Sequence, residues 1–195
     1  MFIAVNLLFF VFINTSGVDF IGLDDGVEPS IPLNPILLVF KNFKDAKEKG
    51  IVISYDCRHK SQEFAKIASS IIAATGTKVY MFSSLRPTPE LSFAIRQLKA
   101  QTGVVGCVGG IMITASHNPP EYNGYKVYDH TGCQLVPHQA DKVIKVINKI
   151  DDVFNIEKMD FEEGVKAGLI HVIDKEVDVA FEDACRTVTV QELSK

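Results

Sequence analysis

The sequence predicts an α/β fold with a mixed, mostly parallel sheet, and two features of the chain from Gly50 onward predict it. Short runs of β-branched and other apolar residues alternate with longer segments whose apolar residues recur at helical spacing. The connections between the first three runs are long enough for the crossovers that parallel strands need. The fourth run is reached through a short turn instead of a helix, which fits an antiparallel strand.

The first strand and helix lie between Gly50 and Gly76. Residues 51–55 read Ile-Val-Ile-Ser-Tyr, a composition typical of a buried strand. We expect Ser61 to cap the following helix and Gly76 to end it. The apolar positions of this helix fall on one stripe, at i, i+3, i+4, i+7 and i+8: Phe64, Ile67, Ala68, Ile71 and Ile72.

The second strand and helix follow directly. Residues 79–82 form a short apolar strand, and Thr88, Pro89 and Glu90 give a helix start with an N-cap, a proline and an acid. The apolar residues of this helix define its inner face: Leu91, Ala94, Ile95 and Leu98.

The remaining elements continue the alternation. Residues 111–113 and 125–128 are predicted strands, and a helix is expected from about 137 to 149. Residues 151–168 read as a charged connector with one helical turn. A strand over 169–173 then precedes a helix capped by Asp174. The inner positions expected for these two helices are, in order, Ala140, Val143, Ile144 and Ile147, then Val177, Ala180, Phe181 and Ala184.

Composition excludes several classes of function. The 195-residue chain has a net charge of −4 and no basic block, so a nucleic-acid surface that tracks phosphates is not expected. The 4 cysteines are widely spaced and form no Cys-x-x-Cys pair, which argues against a zinc site or a disulfide framework. Free thiols fit a reducing compartment, and we expect a cytoplasmic protein.

The N-terminal segment is atypical. Residues 1–13 are almost entirely apolar, but they are too short to cross a bilayer as a helix, which needs about 20 residues, and no Lys or Arg precedes them as in a signal peptide. No membrane partner is therefore expected. Three prolines, Pro29, Pro32 and Pro35, oppose a helix in the part that follows. We interpret residues 1–49 as a divergent or mis-started segment.

One run carries the chemistry. Residues 114–120 read Thr-Ala-Ser-His-Asn-Pro-Pro and place Ser116 at the tip of a tight turn that follows an apolar stretch. His117 lies beside it and Lys126 lies further on. A hydroxyl with cations close by suits covalent chemistry. On spacing alone, an ordinary surface turn explains these residue types better.

The same run, followed by Asn-Gly-Tyr-Lys, resembles the phosphoserine loop of the α-D-phosphohexomutases, the phosphoglucomutase/phosphomannomutase superfamily. The resemblance extends from about Gly50 to Thr187 and includes Tyr-Asp-Cys-Arg-His at 55–59 and Leu-Arg-Pro-Thr-Pro-Glu-Leu at 85–91. It is closest to the phosphoglucomutase-type enzymes. It implies a three-layer α/β/α first domain over residues 50–150. Residues 151–195 would be a connector and the incomplete start of a second domain.

The resemblance also implies an activity. Members are intramolecular phosphotransferases that interconvert hexose 1-phosphate and hexose 6-phosphate through a phosphoserine and a bisphosphorylated sugar. Ser116 would carry the phosphoryl group and, through its phosphate, help to hold Mg²⁺. Sugar phosphates are the expected partners and glucose 1,6-bisphosphate the expected activator. A phosphomannomutase or phosphopentomutase is an alternative, and so is a non-catalytic lone domain that binds a full-length mutase.

The family pattern gives roles to four more residues. Lys126 matches the active-site lysine that neutralises charge near the transferring group. For His117, phosphate binding or proton transfer and loop orientation are both open. Arg58 either steadies the phosphoserine loop or contacts substrate phosphate, and a structural pairing with Asp56 is equally open. Asn118, like Arg58, is a predicted phosphate-binding residue, although we expect its main role to be in shaping the loop.

Other positions depart from the family or lie beside its site. The family begins with a loop in which a catalytic arginine follows a Gly-Thr-Ser-Gly-like run. Residues 14–18 echo that run, but Asp19 stands where the arginine is expected, and its charge would repel a phosphate. The metal-binding, sugar-binding and phosphate-binding domains of the family have no counterpart in this sequence, so we expect the chain alone to be inactive. Arg86 is expected to shape the rim of the cleft.

Overall fold

A computed structural model describes residues 45–98, 106–120, 122–138, 141, 145 and 156–190. The elements of this part, in chain order, are α1 (Ala46–Lys49), β1 (Ile51–Tyr55), α2 (Ser61–Ala74), β2 (Val79–Phe82), α3 (Thr88–Gln97), β3 (Gly109–Ile113), β4 (Tyr125–Asp129), α4 (Phe161–Lys166), β5 (Ile170–Ile173) and α5 (Lys175–Thr187).

The strands form one sheet in the order β4-β3-β1-β2-β5. Strand β1 is parallel to both β2 and β3, and β5 is parallel to β2. Strand β4 is antiparallel to β3, as the short connection predicted. The prediction of a mixed, mostly parallel sheet is confirmed.

Helices cover both faces of this sheet, and β1 is therefore buried on both sides. Ile51 and Ile53 face a cluster that includes Ala68 and Ile72 of α2, with Phe161 of α4 packed against it. The other face holds a second cluster, which contains β1, α3 and α5 residues: Val52, Leu91, Ala94, Ile95 and Val177. The result is the three-layer α/β/α arrangement, with α2 and α4 on one side and α3 and α5 on the other.

The helices differ from the sequence-based expectation in several details, and Ala180 of α5, an expected inner position, is exposed. The core-facing stripe of α2 is centred on Ala65, Ala68 and Ile72, whereas Phe64, Ile67 and Ile71 are only half-buried. Small residues let α2 approach the sheet closely, so the larger apolar residues lie at the edges of the contact.

The predicted caps are also displaced by one residue. Lys60, in the left-handed region with φ of 65°, occupies the N-cap position of α2, and Ser61 is the first helical residue. The Ser61 hydroxyl donates to Asp56 Oδ1 at 2.9 Å instead of capping the helix. Likewise, Pro87 occupies the N-cap position of α3, and Thr88 is its first residue.

The last part of the chain adds to the same sheet. Helix α4 is capped by Asp160, whose side chain accepts from the Glu163 amide at 3.0 Å. Strand β5 pairs with β2 along its length, for example Val79 with Ile170 and Phe82 with Ile173. The division of the chain near residue 150 stays a prediction.

Part of the predicted helix over 137–149 lies outside the described residues, including all four of its expected inner positions. The described positions of this stretch, Pro137, His138, Asp141 and Lys145, are helical. Residues 1–44, with the atypical N-terminal segment and Asp19, also lie outside the described residues.

A cluster of charged residues joins α5 to α3. Arg86 donates from Nε to Asp178 Oδ1 at 2.7 Å and from its second terminal nitrogen to Asp178 Oδ2 at 2.8 Å and Asp174 Oδ1 at 2.5 Å. Glu90 Oε1 lies 3.7 Å from Arg86 Nε, and the Glu90 side chain is only 6% exposed. Arg86 therefore links α5 to the start of α3, a contact that the local sequence around Arg86 does not reveal, and its role at the rim of the cleft stays a prediction.

Burial and the neighbouring Asp178 carboxylate raise the pKa of Glu90 to about 7 from an ordinary value of 4.5. The hydrogen bonds from Arg86 lower the pKa of Asp178. One guanidinium among three carboxylates cannot balance them all, and the pKa rises at the most buried carboxyl, that of Glu90.

We expect Glu90→Gln to remove a pH dependence of stability between about pH 4.5 and pH 8. The folded-state pKa is raised to about 7, so stabilisation is fully present below the unfolded-state value of 4.5 and is lost as pH rises through 7. The loss in wild type amounts to roughly 3 kcal/mol of unfolding free energy over this range.

Urea unfolding at a series of pH values measures this loss. Asp183→Asn, at a side chain of α5 that is 67% exposed, is the matched control and should follow wild type. Parallel stability curves for wild type and Glu90→Gln would contradict the account.

Candidate active site

Two loops meet at the carboxyl edge of the parallel strands, where α/β sheets place their ligands. One follows β1 and spans residues 56–60. The other connects β3 to β4 and spans residues 114–124, and we call it the Ser116 loop. The Asp56 amide donates to the Ile113 carbonyl at 3.2 Å, and the His59 amide donates to the Pro120 carbonyl at 3.2 Å. The loops adjoin because β1 and β3 are neighbours in the sheet.

Arg58 holds the Ser116 loop by its backbone. One terminal nitrogen of the guanidinium donates to the carbonyl oxygens of Asn118 at 2.6 Å, Pro119 at 2.7 Å and Tyr122 at 3.2 Å. The other donates to the Ser116 carbonyl at 2.7 Å. A planar fork of fixed donors suits several carbonyls that converge on it.

Asp56 orients this guanidinium. Its Oδ2 accepts from Arg58 Nε at 3.0 Å and its Oδ1 accepts from the Arg58 amide at 3.0 Å. The Arg58 side chain is 9% exposed. Loop holding and pairing with Asp56 are thus both present in the structure. A contact between Arg58 and substrate phosphate stays a prediction, and these contacts give it no support, because they already engage both terminal nitrogens.

Ser116 lies at the exposed tip of the loop in an unusual backbone conformation. Its φ is 56°, in the left-handed region that residues other than glycine seldom adopt. Its amide donates to the Thr114 side-chain oxygen at 3.0 Å, and the Thr114 amide donates to the Gly124 carbonyl at 2.9 Å. Backbone strain of this kind persists where the surroundings determine it, and it is frequent at functional sites.

Lys126 brings an ammonium group to the Ser116 hydroxyl. Lys126 Nζ donates to Ser116 Oγ. Lys126 lies on β4 opposite Met112 of β3, so the antiparallel pairing returns the chain alongside the loop that it has just formed. A cation fixed at this oxygen can stabilise negative charge on the oxygen or on a group attached to it.

The other predicted site residues differ in how they are held. His117 is exposed and makes no hydrogen bond or ion pair with any described residue, so both of its proposed roles stay predictions. The Asn118 amide donates to the Ala115 carbonyl at 3.1 Å, which gives Asn118 a loop-shaping role. Binding of phosphate by the Asn118 side chain stays a prediction.

Sequence reasoning missed two residues that shape the loop. Thr114 fixes the backbone of Ser116 through its hydroxyl. Gly124 leaves no room for a side chain, because a Cβ atom there would lie 2.6 Å from the Thr114 carbonyl oxygen. The Asn-Gly pair at 123 and 124 is a turn signal, but it does not show which backbone passes so close.

No group of three or more His, Cys, Asp or Glu side chains in the described part of the chain could hold a metal ion. Among the same residues, no helix is long and apolar enough to cross a membrane.

Comparison with known proteins identifies relatives. The family model for the α/β/α domain I of phosphoglucomutase/phosphomannomutase matches residues 14–154. A phosphoglucomutase of Staphylococcus saprophyticus is 36% identical over 141 residues, 72% of this chain and 24% of the relative. A phosphoglucomutase of Staphylococcus haemolyticus is 41% identical over 131 residues, 66% of this chain and 23% of the relative. The chain therefore spans about a quarter of the length of these relatives.

Solved structures show the same fold. A protein of Thermus thermophilus, described as a phosphomannomutase candidate, is 31% identical, with a TM-score of 0.55 over 78% of this chain and 30% of that one. The open form of parafusin, a phosphoglucomutase from Paramecium, has a TM-score of 0.57 over 84% of this chain and 32% of that one. At 19% identity, this second likeness concerns the fold alone.

We expect Arg58→Lys to destabilise the protein and to loosen the Ser116 loop. A lysine keeps the charge, but it cannot reach four carbonyls and the Asp56 carboxylate together, so some of these acceptors lose their partner. The expected loss is about 2 to 4 kcal/mol of unfolding free energy, measured by urea denaturation.

Arg96→Lys is the matched control, because Arg96 is exposed and its Nε donates to a carbonyl of its own helix, that of Ser92, at 3.2 Å. It should change stability by less than about 0.5 kcal/mol. Equal losses in the two variants would show that Arg58 does not hold the loop.

Proposed function

This chain belongs to the phosphoglucomutase/phosphomannomutase family, and from that premise we propose that it supplies the phosphoserine domain of a phosphoglucomutase-type phosphotransferase. The observation that carries the proposal is the hydrogen bond from Lys126 Nζ to Ser116 Oγ, formed on a loop whose backbone Arg58 holds. An exposed hydroxyl beside a fixed cation is the arrangement that accepts and releases a phosphoryl group.

The chemistry follows from these groups. In the first step the phosphoserine donates its group to a free hydroxyl of the sugar phosphate: the bond between phosphorus and that sugar oxygen forms as the Ser116 Oγ–phosphorus bond breaks, the hydroxyl proton ends on Ser116 Oγ, and a sugar bisphosphate results. Lys126 keeps a positive charge beside the phosphoryl oxygens throughout. In the second step Ser116 Oγ takes the other phosphoryl group of the bisphosphate: the Ser116 Oγ–phosphorus bond forms as the bond between that phosphorus and its sugar oxygen breaks, and the serine proton ends on that oxygen. The Arg58 contacts keep Ser116 in place through both steps.

Metal-dependent catalysis is implied by the family, and we propose Mg²⁺ as the ion. The phosphate on Ser116 would contact it, and the described residues add no group of three or more His, Cys, Asp or Glu side chains that could hold the ion. The ion would neutralise charge on the phosphoryl group. The remaining oxygen ligands that a hard cation needs would come from other parts of a mutase.

For the whole protein we propose interconversion of hexose 1-phosphate and hexose 6-phosphate in the cytoplasm, with glucose 1,6-bisphosphate as activator. The Staphylococcus relatives named phosphoglucomutase support this choice of sugar. The Thermus protein described as a phosphomannomutase candidate supports the alternative of mannose phosphates. A lone domain that binds a full-length mutase is the non-catalytic alternative.

A chimera tests the proposal. Residues 45–154 of this chain replace the matching segment of the Staphylococcus saprophyticus phosphoglucomutase, so that the relative keeps its own N-terminal segment and remaining domains. After incubation with glucose 1,6-bisphosphate and Mg²⁺, we expect the intact mass to increase by one phosphoryl group, located on Ser116. Ser116→Ala should lose this gain and lower turnover of glucose 1-phosphate by at least about 10³-fold.

Ser83→Ala is the control for Ser116→Ala, because the hydrogen bonds of Ser83 use its backbone. Phosphorylation of the Ser116→Ala chimera at the parent level would contradict the proposal. A folded parent chimera that gains no phosphoryl group would favour the non-catalytic domain.

Lys126→Met should slow phosphorylation of the same chimera without preventing folding. The substitution keeps most of the length of the side chain and removes the charge beside Ser116, so we expect a loss of about 10²- to 10³-fold in rate. Lys78→Met is the matched control. It removes a cation that is paired with Glu48, at 2.7 Å between Nζ and Oε2, and that lies outside the Ser116 loop. Rates for Lys126→Met within about twofold of those for Lys78→Met would remove Lys126 from the mechanism.

A further inference from the structure

The hydroxyl of Ser61 lies at a junction beneath the Ser116 loop. Ser61 is 1% exposed. Its Oγ donates to Asp56 Oδ1 at 2.9 Å and accepts from Asn123 Nδ2 at 2.8 Å. The hydroxyl therefore uses its proton and a lone pair at the same time, on partners that are 5 and 62 residues away in sequence.

On one side, Ser61 is connected through Asp56 and Arg58 to the first part of the Ser116 loop, which contains Ser116 and which we call the outgoing limb. Asp56, which accepts from Ser61, also accepts from the amide and from Nε of Arg58, both at 3.0 Å. Arg58 in turn donates to the Ser116 carbonyl at 2.7 Å. The carboxylate that Ser61 fixes is thus the group that orients the guanidinium under Ser116.

On the other side, Ser61 is connected to the last part of the Ser116 loop, Asn123 and Gly124, which we call the returning limb and which leads into the strand that carries Lys126. Asn123 is 4% exposed, and its Oδ1 accepts from the Gly124 amide at 2.9 Å. The Gly124 carbonyl accepts from the Thr114 amide at 2.9 Å. The next residues form β4, which carries Lys126. The position of Asn123 therefore fixes where β4 begins.

We propose that Ser61 is a positioning residue, whose hydroxyl joins the two limbs of the Ser116 loop and so sets the approach of Lys126 to Ser116. Ser61 touches neither group. It acts through Asp56 and Arg58 on one side and through Asn123 on the other. That this contact serves phosphoryl transfer rests on the proposed function, but the positioning itself does not.

Few side chains can fill this junction. Alanine would remove the group that joins Asp56 Oδ1 to Asn123 Nδ2, and these two atoms would keep only the Arg58 amide at 3.0 Å and the His59 carbonyl at 3.3 Å, so the link between them would be lost. A threonine hydroxyl has the same donor and acceptor capacity as that of serine. Rescue by threonine therefore separates the role of the hydroxyl from that of packing volume.

Helix α2 offers a matched control at Ser69. This serine is fully buried, and its Oγ donates within the helix to the Ala65 carbonyl at 2.8 Å and lies 3.5 Å from Met81 Sδ. Ser69→Ala thus removes a buried hydroxyl from the same helix without touching the Ser116 loop.

The test compares wild type, Ser61→Ala, Ser61→Thr and Ser69→Ala as full-length chains. Amide hydrogen exchange is measured over residues 114–124, and the side-chain ammonium signal of Lys126 is followed by nitrogen-15 NMR. We expect Ser61→Ala to speed exchange in this segment by at least about tenfold and to shift the Lys126 signal. Ser61→Thr should restore both, and Ser69→Ala should change neither, even where it lowers the unfolding midpoint as much as Ser61→Ala does.

Equal effects of Ser61→Ala and Ser69→Ala on the loop, or no effect of either, would overturn the inference. So would a Ser61→Thr variant that folds stably but behaves like Ser61→Ala. Neither readout involves phosphoryl transfer, so failure of the chimera to take up phosphate would count against the proposed function alone.

Discussion

The candidate site depends on one constraint, the Arg58 guanidinium held between the Asp56 carboxylate and the backbone of the Ser116 loop. Carbonyl oxygens that converge on one another repel unless a cation or several donors lie among them. Arg58 supplies both, and its burial strengthens each contact. The strained backbone of Ser116 can persist because the carbonyl of that residue is fixed at 2.7 Å from the guanidinium.

Sheet topology explains why this constraint produces a reactive arrangement. Parallel pairing of β1 with β3 brings their carboxyl ends together, so that the Arg58 loop lies beneath the Ser116 loop. The single antiparallel strand, β4, then returns along β3 and carries Lys126 back to the serine. A parallel strand in its place would begin at the opposite end of the sheet, where the amino ends of β1 and β3 lie. A lysine at the start of that strand would be far from the Ser116 hydroxyl.

The strand positions could be predicted from the sequence because they depend on local residue types, whereas the role of Ser116 followed from the family resemblance, since the local residue types alone favour a surface turn. Of the three alternatives left open for Arg58, the structure shows contact with the Ser116 loop and pairing with Asp56, and contact with substrate phosphate stays a prediction. Contacts between residues that are far apart in sequence were not predictable in this way. The hydrogen bond from Asn123 to Ser61 and the ion pairs of Arg86 with Asp174 and Asp178 link residues that are 62, 88 and 92 apart in sequence. Local patterns do not encode such partners.

The most direct test of the central claim is the modification state of Ser116 in the protein isolated from the cells that produce it. Peptides that span residues 114–126 can be analysed by mass spectrometry that locates phosphate on individual side chains. If the Arg58-held loop presents Ser116 for phosphoryl transfer, a substantial fraction of these peptides carries phosphate on Ser116 and not on Thr114. Complete absence of phosphate from Ser116, in a preparation that preserves phosphoserine elsewhere, would contradict the account.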